Sequence, residues 1–159
     1  MISEAKRYRL KGQALSSLTQ WRILSIFVSL AVVLTESQLF EYLKTAYISD
    51  LKASGDRYDY HDCQSYKKKL HIELKSRQTH YDELILEKDK YDALMGQAQR
   101  LGYTPWYINS TPQGVYAFNL KLIKMTWTVR QLPASTAFNN VQTISKTVTY
   151  IHISKAAKL

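Results

Sequence analysis

The sequence predicts an α+β fold in which helices come first and a small antiparallel β-sheet comes last. Three features predict it: an uncharged apolar stretch at residues 23–35, a charged segment with helical periodicity at residues 57–101, and strand-like alternation after Pro105. A chain of 159 residues allows one domain of ordinary size, or a membrane anchor followed by a small domain.

These features divide the chain into four predicted parts. They are a basic N-terminal tail (1–20), a single transmembrane helix (21–39), a helical stalk (40–101) with a hinge near 53–56, and a small antiparallel β domain (102–159).

The apolar stretch at residues 23–35 determines whether the protein is predicted to lie in a membrane. As a helix at 1.5 Å per residue it is about 20 Å long, whereas the hydrocarbon core of a bilayer measures roughly 30 Å. Its flanks lengthen it to a marginal span over residues 21–39. Basic residues precede it and acidic residues follow it, which predicts a single-pass signal anchor with a cytoplasmic N-terminus and an exported remainder. The residues expected within the span include Trp21, Phe27, Val28, Leu30 and Val33.

The alternative for this stretch is a buried helix in a soluble or viral particle, where other subunits cover it. No A-x-A-like cleavage site follows Val33, so an uncleaved anchor fits better than a cleaved signal peptide. The apolar stretch by itself does not separate an anchor from a buried helix.

The charged segment over residues 57–101 is predicted to be one long exposed helix that ends before Gly102. Glu73 and Arg77 form a favourable i,i+4 pair within it. A helix of about 65 Å exceeds any core that this chain could wrap around it, so it requires other subunits or a second copy. A weak coiled-coil seam is expected to face that partner, through Leu70, Leu74, Tyr81, Leu84, Tyr91 and Met95.

After Pro105 the apolar period becomes two. The apolar face changes parity between Leu122 and Ile123, which predicts a β-bulge at residues 121–124. Residues 133–140 are predicted to form a loop, and residues 141–154 a second strand antiparallel to the first. Residues 106–108 are a candidate third strand.

Basic residues suggest an anionic partner. Residues 102–159 hold six basic side chains and no Asp or Glu. Lys121, Lys124 and Arg130 are predicted to form a basic face that meets nucleic acid, lipid headgroups or an acidic subunit. Residues 66–70 (YKKKL) mix lysines with an aromatic residue, but on a helix the lysines spread over about 200°, which favours a solvated face.

No catalytic signature is found. The motifs of acyl transfer, phosphate cradling and zinc hydrolysis are absent, and acidic pairs are interpreted as solvated helix faces. The metal-type cluster of His61, Cys63, His71 and His80 has spacings that do not converge on one helical turn. Cys63 is the single cysteine, so no intrachain disulfide forms. We therefore expect no catalytic residue, cofactor, metal or small-molecule substrate.

Two classes of function follow. The first is a non-enzymatic, single-span membrane scaffold, an assembly subunit whose stalk and basic β domain make protein–protein contacts in a larger complex. The alternative is a structural protein of a large particle, a virion or a ribonucleoprotein, with a buried apolar helix and a basic sheet that faces nucleic acid.

Overall fold

The structure, a computed structural model, describes residues 33–55, 61–134 and 142–159, which all lie in one unit, Ala31–Leu159. Most of the regular structure in these residues is β-sheet, with two short α-helices, α1 (Glu36–Ala46) and α2 (Lys88–Leu101). The strands are β1 (Lys52–Ala53), β2 (Cys63–Ser65), β3 (Leu70–Ser76), β4 (Glu83–Glu87), β5 (Thr104–Thr111), β6 (Gly114–Asn119), β7 (Thr128–Pro133), β8 (Thr143–His152) and β9 (Ala157–Lys158).

The strands form two sheets. The larger sheet has the order β1-β2-β3-β5-β6-β9, and the smaller has the order β4-β8-β7. Neighbouring strands are antiparallel except β3 and β5, which are parallel. Parallel neighbours need a crossover connection, and between β3 and β5 the chain forms β4 and α2.

Each face of the larger sheet packs against an apolar cluster. On one face, Leu39 of α1 packs with Ile72 and Leu74 of β3. On the other face, Leu94 of α2 and Leu84 of β4 pack in a cluster with Tyr107 of β5. The helices thus lie on opposite faces of the larger sheet.

The sequence of β3 has the period of a strand. Ile72 and Leu74 belong to the cluster on the α1 side, and they alternate with His71, Glu73 and Lys75, whose side chains point to the other face. Glu73 is only 2% exposed. The strand therefore carries a charged side chain into a buried position.

Helix α1 has a complete N-terminal cap. The Thr35 hydroxyl accepts a hydrogen bond from the Gln38 amide at 3.3 Å, and the Gln38 side chain accepts one from the Thr35 amide at 2.9 Å. This capping box satisfies two backbone donors that the first turn leaves unpaired. It also fixes the position of Glu36, the first residue of the helix.

Helix α2 ends where the sequence predicts. Gly102 caps it with φ +70°, a left-handed conformation that glycine adopts without a Cβ clash. Its amide donates to the carbonyls of Ala98 and Gln99. The predicted end of the helix before Gly102 is confirmed.

The single helix predicted over residues 57–101 is wrong. Its described part contains β2, β3 and β4 before α2 begins at Lys88. Several of the charged residues that predicted an exposed helix lie in β3 and β4, which pair with β5 and β8. The six seam residues therefore do not share one helix: Leu70 and Leu74 lie in β3, Tyr81 precedes β4, Leu84 lies in β4, and Tyr91 and Met95 lie in α2.

The predicted membrane span is not one continuous helix. Thr35 has the non-helical ψ of a cap, 163°, so α1 starts afresh at Glu36. Val33 is half-buried, and the other span residues, Trp21, Phe27, Val28 and Leu30, lie outside the described residues. In the part of the chain that the structure describes, no helix combines the length and the apolar character that crossing a membrane requires.

The predicted bulge at residues 121–124 is also wrong. β6 ends at Asn119, a short 3-10 helix (Leu120–Leu122) follows, and β7 begins at Thr128 in the smaller sheet. The apolar face changes parity because residues before and after the 3-10 helix belong to separate strands, β6 in the larger sheet and β7 in the smaller sheet. The predicted antiparallel ribbon is present as β7 and β8, and residues 106–108 lie within β5.

Candidate active site

Two carboxylates, those of Asp62 and Glu73, lie opposite each other where β2 begins beside β3. The register of β2 and β3 pairs Cys63 with Ile72, so the preceding residue, Asp62, lies opposite Glu73. The Asp62 amide donates to the Ile72 carbonyl at 3.0 Å, and its carboxylate accepts a hydrogen bond from the Leu74 amide at 2.6 Å. The backbone of β3 thus holds the Asp62 side chain in place.

Lys75 brings a cation to the same face. It is two residues after Glu73, and side chains two apart on a strand point to the same side. Its ammonium lies 3.2 Å from Glu73 Oε1 and 3.3 Å from Glu36 Oε1. A helix terminus and a strand interior therefore converge on one lysine.

A second lysine approaches from the first turn of α2. Lys90 Nζ lies 3.5 Å from Glu73 Oε1. Lys90 is 50% exposed in this pair, so the contact is open to solvent on one side. The acid at the centre of the group is accordingly flanked by two ammonium groups.

The electrostatics of these residues are strongly coupled. Burial, followed by the neighbouring Asp62 carboxylate, raises the pKa of Glu73, and Lys75 and Lys90 oppose that rise. Burial alone lowers the pKa of Lys75, but the carboxylates of Glu73, Glu36 and Asp62 outweigh it and raise that pKa. Lys75 is therefore a permanent cation at neutral pH.

Two of the three carboxylates, those of Glu36 and Asp62, border an open cleft of about 420 Å³. Its walls come from α1, β1, β3 and the residue before β2. The lining residues are Glu36, Ser37, Phe40, Glu41, Ala53, Asp62 and Leu74. A flexible or extended substrate can reach such a cleft from solvent.

The donor set has the chemistry of a magnesium site. Mg²⁺ prefers carboxylate oxygens, and it is often held by only one or two carboxylates together with phosphate oxygens of a substrate. Glu73 Oε1 is buried, and it contacts the ammonium groups of Lys75 and Lys90. Among the described residues, no three side chains of the Asp, Glu, His and Cys types form a ready-made cluster. Asp62 and Glu73, with Glu36 nearby, fit a cation that the substrate helps to bind.

The predicted metal-type residues have other surroundings. His61 and His71 are buried and stack at 4.2 Å between ring centroids, and His61 Nδ1 lies 2.9 Å from Gln97 Oε1. His80 contacts Thr111 at 3.0 Å, on another part of the sheet. Burial, followed by the charges of Asp62 and Glu73, raises the pKa of Cys63 to about 12, so its thiol stays protonated.

The predicted basic face is dispersed over several elements. Lys121 lies in the 3-10 helix after β6, Lys124 in the following loop, and Arg130 in β7, and all three are exposed. Their alternation on one strand is therefore not observed. An anionic partner for them stays a prediction.

Glu36, Asp62, Glu73 and Lys75 were not predicted as site residues. The signal that could have found them is the alternation in residues 70–75 (LHIELK), which fits a strand at least as well as a helix. On a strand Glu73 and Lys75 share a face, whereas a helix turns them about 200° apart. Asp62 and Glu36 have no such signal, because only the pairing of distant segments brings them to β3.

Comparisons with known proteins agree with this fold. No protein-family model and no curated protein sequence matches the chain. Among solved structures, the chain is similar to Hjc from Archaeoglobus fulgidus, a Holliday junction resolvase from an archaeal hyperthermophile, with a TM-score of 0.51 and 17% identity. The match covers 78% of this chain and 88% of that chain. At this identity the likeness shows a common fold.

The likeness corrects several expectations from the sequence. The fold, which is similar to that of a resolvase, contradicts four expectations: the non-enzymatic membrane scaffold, the signal anchor with an exported remainder, the coiled-coil stalk and the structural-particle alternative. The expectation that the protein is not an enzyme is contradicted by the same likeness. Nucleic acid, which the sequence predicted among the partners, is supported at the level of the fold.

Proposed function

We propose that the protein is a divalent-cation-dependent endonuclease that hydrolyses phosphodiester bonds of DNA. One observation carries the proposal: the Lys75 ammonium lies within hydrogen-bonding reach of Glu73 and Glu36, with Asp62 just before the neighbouring strand β2. Acidic side chains with an adjacent cation are the groups that phosphodiester hydrolysis requires. The resolvase-like fold supports the same class of reaction.

The residues have separable roles in this proposal. Asp62 and Glu73 hold the cation, and Glu36 adds a third oxygen donor from α1. The cation, when bound, supplies positive charge that stabilises the charge that develops on the phosphate in the transition state. Water adds to phosphorus and one P–O ester bond breaks, which leaves a phosphate monoester on one fragment and a hydroxyl on the other.

Lys75 acts as a fixed cation in this scheme. Because its pKa is raised, it stays protonated at neutral pH and does not serve as the base that deprotonates water. Its three donors can bind a phosphate oxygen once the substrate and cation compete for the carboxylates that it now contacts. We infer that Lys75 neutralises Glu36 and Glu73 before the substrate binds, and a phosphate oxygen afterwards.

Branched DNA is the proposed substrate class. The net charge of +9 favours a polyanion, and the structural neighbour is a Holliday junction resolvase. The junction, as distinct from linear duplex, rests on that neighbour alone, so the test compares the two directly.

The test incubates the purified full chain with a labelled four-way DNA junction and with a linear duplex built from the same arm sequences. We expect cleavage with Mg²⁺, none with EDTA, and preference for the junction. Glu73→Gln should lower the cleavage rate by about 100-fold or more, as loss of a charge-stabilising group does. The matched control is Glu87→Gln, which removes an acid that pairs with Lys146 at 3.0 Å outside the cleft.

Equal cleavage by wild type and Glu73→Gln would contradict the assignment of the active site. Failure of the wild type to cut either DNA with Mg²⁺ or Mn²⁺ would overturn the proposed function. Cleavage of duplex and junction at the same rate would retain the nuclease and reject the junction preference.

A further inference from the structure

The turn between β2 and β3 concentrates positive charge near the candidate active site. Residues 66–69 contain Tyr66, 55% exposed, followed by three exposed lysines, Lys67, Lys68 and Lys69. As a turn, the segment does not spread its lysines around a helix. None of these lysines forms an ion pair with an acidic side chain of the described residues.

The turn is held by hydrogen bonds from other parts of the chain. The Asp50 carboxylate accepts from the Ser65 hydroxyl at 2.8 Å and from the Lys67 amide at 2.9 Å. The Ser65 hydroxyl also accepts from the Lys68 amide at 3.1 Å, and the Lys69 carbonyl accepts from the Thr104 amide at 2.8 Å. The backbone is therefore ordered before any partner binds.

Lys69 occupies a backbone conformation that lysine rarely adopts. Its φ is +52°, the single non-glycine positive value among the described residues. Glycine or asparagine fits this left-handed region with less strain. A strained lysine in a turn with two further lysines suggests that the charge itself has a use.

The turn lies close to the acids of the candidate active site. Lys69, the last residue of the turn, precedes Glu73 of β3 by four residues, a distance of about 13 Å at 3.3 Å per residue. Each DNA strand carries one phosphate per 3.4 Å of helix axis, so this distance corresponds to about four base pairs. The acids of the cleft repel phosphates, and attraction for the backbone must come from a neighbouring basic surface.

We propose that the turn formed by residues 66–69 binds the phosphate backbone of the DNA arm that flanks the cleaved bond. Lys67 and Lys69 contact phosphates, and the exposed ring of Tyr66 packs beside the sugar–phosphate chain. Lys68 is partly engaged, because its ammonium donates to the Tyr47 carbonyl at 2.7 Å. The inference rests on the proposed function, since the same DNA must reach Glu73.

The test measures equilibrium binding of a labelled four-way DNA junction by fluorescence anisotropy in EDTA, over a range of NaCl concentrations. The turn variant is Lys67→Gln/Lys69→Gln. The matched control, Lys155→Gln/Lys158→Gln, removes two charges at or beside β9, the opposite edge of the larger sheet from β1. Each lost phosphate contact lowers the slope of log K against log salt by about one. The turn variant should therefore lose about two units of slope and bind on the order of tenfold more weakly, while the control binds nearly as tightly as wild type.

A single substitution separates a binding defect from a folding defect. Lys69→Gly relieves the left-handed backbone strain, so its melting temperature should equal or exceed that of the wild type. Its affinity for the junction should nevertheless fall, and its salt slope should drop by about one. An unaltered affinity in this stable variant would overturn the role of Lys69.

The outcomes distinguish this inference from the proposed function. Equal weakening of the turn and control variants would show a general charge effect and overturn the site. Cleavage by a turn variant that binds like wild type would retain the nuclease and reject the turn. Turn-dependent binding without any Mg²⁺-dependent cleavage would retain the turn and reject the nuclease, whereas no DNA binding by wild type would overturn both.

Discussion

Glu73, which we propose holds the cation, is a residue whose charge reduces the stability of the fold. Its carboxylate is buried, lies opposite Asp62, and is only partly compensated by Lys75 and Lys90. The net effect raises its pKa, which means that the ionised form is less favourable in the folded chain than in the unfolded one. A cation bound to Glu73 would favour the ionised form of its carboxylate in the folded chain.

We predict that Glu73→Gln raises the melting temperature at neutral pH in EDTA. Because the pKa of Glu73 is raised in the folded state, the wild type loses stability relative to the variant as pH rises above the ordinary Glu value of 4.5. Melting temperatures of both proteins between pH 4 and 8 check the sign. If the difference in melting temperature between Glu73→Gln and the wild type became smaller as pH rises, the predicted direction would be contradicted.

The wild type and Glu73→Gln also test whether Glu73 binds the cation. A ligand that binds only the folded state stabilises it. Mg²⁺ or Ca²⁺ should therefore raise the melting temperature of the wild type and have little effect on Glu73→Gln. An equal rise in both would place the cation elsewhere.

At the scale of elements, the N-terminus of α1 links stability to the candidate site. The capping box of Thr35 and Gln38 fixes the first turn, and that turn carries Glu36 to the Lys75 ammonium at 3.3 Å. A second tie is made next to the cap, where the Leu34 amide donates to the Ser110 hydroxyl at 2.8 Å. The Glu36–Lys75 ion pair and the Leu34–Ser110 hydrogen bond both attach the N-terminus of α1 to the larger sheet.

We predict that Thr35→Ala lowers the free energy of unfolding by about 1 kcal/mol, the usual effect of losing an N-cap hydroxyl. Because Glu36 is the next residue, the cleavage rate should fall as well. Urea denaturation and junction cleavage check the two effects, with Thr35→Ser as the control that retains the hydroxyl. Unaltered stability in the alanine variant would show that the cap contributes little.

At the scale of the whole molecule, one hydroxyl group joins the two sheets. Tyr107 of β5 accepts a hydrogen bond from Arg77 at 2.6 Å and donates one to the Ile85 carbonyl of β4 at 2.8 Å. Arg77 also donates to the Ile85 carbonyl at 2.8 Å and to Asn109 at 3.3 Å. This part-buried network connects β5 and Arg77, the residue after β3, to the smaller sheet.

We predict that Tyr107→Phe destabilises the protein by about 1–3 kcal/mol, because it removes a buried hydroxyl and leaves part of the Arg77 network without its partner. The matched control is Tyr91→Phe on α2, expected to change the free energy of unfolding by less than about 0.5 kcal/mol. Equal effects of the two substitutions in urea denaturation would show that the network has no special role.

Several local features follow from the sequence alone. Gly102 ends α2 because glycine accepts a left-handed backbone, and the Val, Thr and Ile content of residues 141–154 predicts the strand observed as β8. These predictions succeed because the determining interactions are between residues close in sequence. The absence of Asp and Glu from residues 102–159 predicts an anionic partner, and that partner stays a prediction.

The candidate site was decided by the tertiary structure. A charged segment such as residues 70–77 is compatible with an exposed helix until its partners are known, because burial of Glu73 is tolerable only beside Lys75 and Lys90. Glu36, Asp62 and Glu73 meet because β2 pairs with β3 and α1 packs on the same sheet. Sequence by itself determined the end of α2 at Gly102 and the strand character of residues 141–154, which depend on neighbouring residues. Only the tertiary structure decided which charges are buried together, since that depends on contacts between segments far apart in the chain.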